Sequence, residues 1–95
     1  MKTRTHLPLI RELNATGGEF LKLDLEIGFT FANVALRAVN NSEKRQRNRE
    51  MSRKAYDTVS KMARRLDLSG AVRGEVNEKL ARLRSQLEQL GERFE

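Results

Sequence analysis

The chain's 95 residues suffice for one modest hydrophobic core and are too few for two, and the absence of cysteine excludes a disulfide framework, a thiolate nucleophile and any Cys-based zinc or iron–sulfur site. Apolar residues make up 38% and charged residues 34%, with four Phe, one Tyr and no Trp, so a core has to be built mainly from aliphatic side chains. The formal net charge of +6 is concentrated: residues 44–66 carry nine Lys/Arg against Glu50 and Asp57, and the segments on either side are close to neutral.

A single proline, Pro8, and abundant Ala, Leu, Glu, Arg, Lys and Gln favour helix over strand. No apolar run approaches the ~20 residues that span a bilayer, and the N-terminus lacks the apolar region of a secretory signal. The expectation is therefore an all-α cytoplasmic protein with no membrane insertion.

Residues 1–18 read as an N-terminal arm, mobile or loosely docked through Leu9, Ile10 and Leu13, and punctuated by Gly17-Gly18. The glycine pair also carries a weak hint of an anion site at a helix start. Thr16 and Glu19 have capping-box spacing, which predicts a first helix over about 18–40. Leu21 to Phe31 alternate with polar residues as a strand would, but Lys22, Glu26, Thr30, Asn33, Arg37 and Asn40 gather into one polar stripe on a helix, which explains more residues. The stripe leaves a wide apolar arc with two halves. Leu21, Leu25, Gly28, Ala32, Ala35 and Val39 form a small-residue face, and Phe20, Leu23, Ile27, Phe31, Val34 and Ala38 a bulky one, so two neighbouring helices are expected, one per face. Asp24 falls inside the apolar arc and is expected to be solvated near the helix start; Phe29 falls at its edge, with the arm as its expected cover.

Asn40, Asn41 and Ser42 offer turn and cap chemistry for a second helix over 42–66. Residues 40–50 hold no apolar side chain, so this helix is expected to protrude before Met51, Ala55, Val59, Met62 and Leu66 supply an inward stripe. Ser69 is a cap for a third helix over 70–93, whose start Gly74 weakens. There Val76, Leu80, Leu83, Leu87, Leu90 and Phe94 follow the 4, 3, 4, 3, 4 steps of a coiled-coil seam. This seam outruns the apolar part of the second helix, predicting an exposed end at Leu87, Leu90 and Phe94, with Gly91 weakening the last turn. The expected architecture is a three-helix antiparallel bundle over 19–95.

Ile27-Gly28 followed by Phe31, together with Ala55, Val59 and Met62, resembles the helical-hairpin modules of the tetratricopeptide and microtubule-interacting-and-trafficking type. Asp24 stands where the tetratricopeptide pattern has Trp, and the two halves lie about fifteen residues further apart than that repeat allows, so a lone module fits better than an array. The resemblance implies a non-catalytic protein that binds peptides or helices in a groove.

Catalytic chemistry has little to stand on: His6 is the only histidine, and there is no phosphate-binding glycine loop and no helical Glu/His metal pair. No cofactor is expected. The readings that remain are a protein-interaction module that binds a partner helix or peptide or itself, and a nucleic-acid binder working through the basic second helix. Candidate partner-binding residues are Lys44, Arg45, Arg47, Arg49 and Arg53 in the basic segment and Leu87, Leu90 and Phe94 at the seam's end. The basic face reads first as an ordinary solvated helix surface, with Glu75, Glu78, Glu88 and Glu92 of the third helix as candidate partners for some of its charges.

Overall fold

The computed structural model describes the backbone of residues 6–94 and the side chains of residues 17–94. Three helices, α1 (His6–Arg37), α2 (Ser42–Ala63) and α3 (Gly70–Gln89), pack together, and the described residues form no strand. The three-helix all-α fold is as expected from the sequence. The helical backbone of α1 reaches back through Gly17 and Gly18 to His6. The docked or mobile state of the arm, and the cap expected of Thr16, lie outside the described side chains.

Gly17-Gly18 is neither a hinge nor a helix start. A Cβ on Gly17 would lie 2.8 Å from Leu66 Cδ1, and one on Gly18 would lie 3.2 Å from Val72 Cγ1. The pair lets the α2–α3 connection close down on α1, and that tertiary contact outweighs the poor intrinsic helix propensity of glycine.

Local chemistry sets the other boundaries. The Asn41 side chain accepts from Lys44 N–H at 3.0 Å and opens α2; that of Ser69 accepts from Val72 N–H at 3.2 Å and opens α3. Arg73, on the first turn of α3, donates to Ala63 O at 3.1 Å and Leu66 O at 3.0 Å, satisfying carbonyls that the end of α2 leaves without helical partners. At the far end of α3, Gly91 takes φ of 100°, Glu92 N–H donates to Leu87 O at 2.9 Å and Gly91 N–H to Glu88 O at 3.0 Å. That is a Schellman stop. Gly91 therefore terminates the helix instead of loosening its last turn.

The core is one cluster around the Leu21, Leu25, Phe29, Ala32 and Ala35 side of α1, with Val59 and Ala63 from α2, Leu68 from the connection, and Val76, Leu80, Leu83, Leu87 and Leu90. Burying each fully covered Leu contributes roughly 1.5–3 kcal/mol. Contrary to expectation, α1 does not bury both halves of its apolar arc, because both neighbours meet its small-residue half. Around Gly28 the three helices converge: a Cβ there would lie 2.9 Å from Leu83 Cδ2 and 3.2 Å from Ala55 Cβ. Ser52, fully buried, donates from its hydroxyl to Gly28 O at 2.8 Å and fixes the α1–α2 height. In a triangle of helices each member meets the other two across one seam, so half of α1's apolar arc is enough.

Phe29 is covered from α3, with the Arg82 guanidinium 5.1 Å from its ring centre; the cover expected from the arm lies outside the described side chains. Asp24 is not near a helix start, since α1 begins at His6.

Candidate functional site

The bulky half of α1 lies open. Phe20 is 48% exposed, Leu23 61% and Ile27 43%, and Met51 of α2, beside them, is 42% exposed. Phe31 and Val34 continue the line half-buried. Phe20, Leu23, Ile27, Phe31 and Val34 follow steps of 3, 4, 4 and 3 along about 21 Å of helix. α3 occupies the opposite side of the α1–α2 pair, so this is the groove that a fourth helix would fill. Two hollows mark its course. One is lined by Asp24, Ile27 and Phe31 of α1 with Met51, Lys54 and Thr58 of α2, and the other by Val34, Arg37 and Ala38 with Lys44.

Along the α2 edge, Lys44, Arg47, Met51, Lys54, Thr58, Lys61 and Arg65 recur at steps of 3, 4, 3, 4, 3 and 4, and all seven are exposed. Five are cations, and among the described residues none of the five makes a salt bridge. On the α1 side, Lys22 pairs with Glu19 and Glu75 and Glu26 with Lys79 of α3, while Asp24 and Arg37, one in each hollow, make no salt bridge among the described residues and offset each other in charge. The groove thus has an apolar floor, one basic wall and one nearly neutral wall.

Of the residues singled out in the sequence, Lys44 and Arg47 belong to this basic wall. The others are engaged inside the bundle. Arg45 donates to Ala35 O at 3.1 Å. Arg49 donates to Leu90 O at 3.0 Å, and its Nε lies 3.0 Å from Glu92 Oε2 but out of line for a hydrogen bond, so that second contact is one of charge. Arg53 reaches Asp57 at 3.1 Å, Glu92 at 2.8 Å and Arg93 O at 3.0 Å, and lies 4.2 Å above the Phe94 ring. Because residues 42–50 run back alongside the end of α1, the start of α2 does not protrude as a free basic arm.

The exposed overhang expected at Leu87, Leu90 and Phe94 is absent. Leu87 is fully buried and Leu90 nearly so, and after the Gly91 stop the chain turns so that Phe94 packs edge-on against Tyr56 at 4.9 Å, with Arg84 4.8 Å from its ring. The sequence leaves open whether Glu75, Glu78, Glu88 and Glu92 pair with the basic face of α2. Glu92 alone of the four does so; Glu75 serves Lys22 on α1 and Glu88 pairs with Arg84 on its own helix.

Phe20, Leu23, Ile27, Met51 and Lys54 were missed as site residues although the wide apolar arc already signalled a surplus. Counting the apolar faces of α2 and α3 is the signal that finds it: each offers one narrow stripe, too little to cover both halves of α1.

Asp24 sits at the groove's edge, and burial pushes its carboxyl above the ordinary aspartate range. A raised native value means that the folded state holds the proton more tightly than the unfolded chain. Stability from this group is therefore present below the ordinary value and is lost as pH rises through the native one. Asp24→Asn is expected to raise the thermal midpoint modestly at neutral pH, with the difference fading as pH falls below the ordinary carboxylate range; thermal melts by circular dichroism across that range test it.

No protein-family model, curated protein or solved structure matches this chain. Among the described residues, no group of three or more His, Cys, Asp or Glu is placed to hold a metal ion, and no helix is long and apolar enough to cross a membrane.

Proposed function

We propose that this protein is a non-catalytic helical interaction module whose working surface is the open α1–α2 groove. The observation that carries the reading is the row of Phe20, Leu23 and Ile27, large apolar side chains 43–61% exposed on consecutive turns of a helix whose other apolar half makes the core. Scattered apolar residues on a surface are ordinary, but a contiguous line of them beside Met51 is an area that association would remove from water. Helix-in-groove recognition uses such a line, with anchors every three or four residues.

The test compares the wild-type chain with the Leu23→Asp/Ile27→Asp variant in sedimentation and in affinity capture. Both substitutions fall on exposed positions, so helix content by circular dichroism should be unchanged. The expected result is an association, with another protein or with itself, that the variant loses. A strictly monomeric wild type that retains nothing beyond what the variant retains overturns the reading.

A further inference from the structure

We infer that the groove's occupant is an acidic amphipathic helix of a partner protein, lying along α1 with its carboxylates against the α2 wall. This inference rests on the groove reading above and adds to it the chemistry of the partner. Lys44, Arg47, Lys54 and Lys61 stand at helical spacing over about 26 Å of α2, with Arg65 in the turn just beyond it, the pitch at which a neighbouring helix presents side chains on one of its edges. They are exposed, and among the described residues they form no ion pair, whereas Arg49 and Arg53 on the α3 side of the same helix are bound to Glu92. The basic wall therefore borders the apolar floor and not the packed side. A cover that fits both needs Leu-, Ile- or Phe-like anchors for Leu23, Ile27 and Met51, and Glu or Asp on the edge facing α2. The α1 wall, where Glu26 and Lys22 are already paired, asks for no net charge.

Other covers fit less well. A nucleic-acid duplex answers the cations but leaves Leu23 and Ile27 in water. An anionic bilayer answers both, yet entering it would carry the Asp24 carboxylate toward hydrocarbon. A second copy brings another +6, and stacking two α1 helices antiparallel across the groove places one basic α2 row against the other.

The probe is a fluorescein-labelled 18-residue synthetic helix with Leu at the anchor positions and Glu on both flanking edges, compared with the same peptide carrying Lys in place of Glu. Fluorescence anisotropy is expected to show the Glu peptide binding roughly 10-fold or more tightly than the Lys peptide, with the gap narrowing as salt is raised. Lys54→Glu/Lys61→Glu should reduce the preference for the Glu peptide several-fold, and Leu23→Ser/Ile27→Ser should abolish binding of both, each with circular dichroism unchanged. Equal binding of the two peptides by the wild type overturns the acidic-partner inference and leaves the groove reading standing. Binding of neither peptide, or binding indifferent to Leu23→Ser/Ile27→Ser, overturns both. A duplex oligonucleotide or a phosphatidylserine vesicle bound more tightly than the Glu peptide, or a dimer in sedimentation that Leu23→Ser/Ile27→Ser dissociates, also overturns it and names the occupant instead.

Discussion

Leu25→Ala is expected to lower the unfolding free energy by about 2–5 kcal/mol, while Ile27→Ala, two residues further along the same helix, is expected to change it by less than ~1 kcal/mol. The two side chains are nearly equal in size and hydrophobicity, so the contrast comes from place alone. Leu25 has no exposed surface and lies in the central cluster; Ile27 keeps 43% of its surface in water. Truncating Leu25 removes contacts and leaves a void that surrounding Leu side chains fill only in part, whereas truncating Ile27 opens no cavity. For a domain of this length a loss of 1 kcal/mol moves the thermal midpoint by about 4–8 °C, so the two variants separate widely in a melt. Urea titration with a common m-value gives the free energies. Similar losses at both positions would mean that a helix covers the bulky face of α1, and the groove would then not exist.

That contrast also shows what the sequence encodes and what it leaves open. Periodicity gave the helices, and the side chains of Asn41 and Ser69 cap α2 and α3 where their residue types imply, since both are decided within a turn or two of chain. Which half of α1 is buried depends on how much apolar surface α2 and α3 offer in return. Hydrophobicity alone, which states only what each side chain prefers, does not contain that quantity. The basic segment mixed two populations for a similar reason. Arg49 and Arg53 find Glu92 about forty residues away, and Glu92 is brought to them by the turn at Gly91, whose φ of 100° is a three-dimensional fact that a one-dimensional spacing read as mere weakness. Lys44, Arg47, Lys54, Lys61 and Arg65 were visible as charges, but their alignment along an apolar floor needed α1 beside them. Gly17 and Gly18 read as punctuation because the contacts that make small residues useful there, Leu66 and Val72, lie some fifty residues downstream.

Gly28→Val is expected to destabilise the protein by about 3 kcal/mol and Leu83→Ala by about 2–5 kcal/mol, and the double variant by at least ~1 kcal/mol less than the two losses combined. At Gly28 both other helices approach α1 closely. A bare Cβ there already approaches Leu83 Cδ2 to 2.9 Å and Ala55 Cβ to 3.2 Å, and the two branches of valine cannot both swing clear of α2 and α3. Relief by moving α1 outward stretches the 2.8 Å bond from the Ser52 hydroxyl to Gly28 O, a bond with no solvent to replace it. Leu83→Ala acts in the opposite sense, leaving a void against Gly28, and a valine placed there can expand into it. The coupling stays partial because the Ala55 contact persists in the double variant. Chemical denaturation of the wild type and the three variants closes the cycle. Strict additivity would place residues 28 and 83 apart and remove α3 from the seam in which α1 lies, and with it the reason the bulky face of α1 is left open.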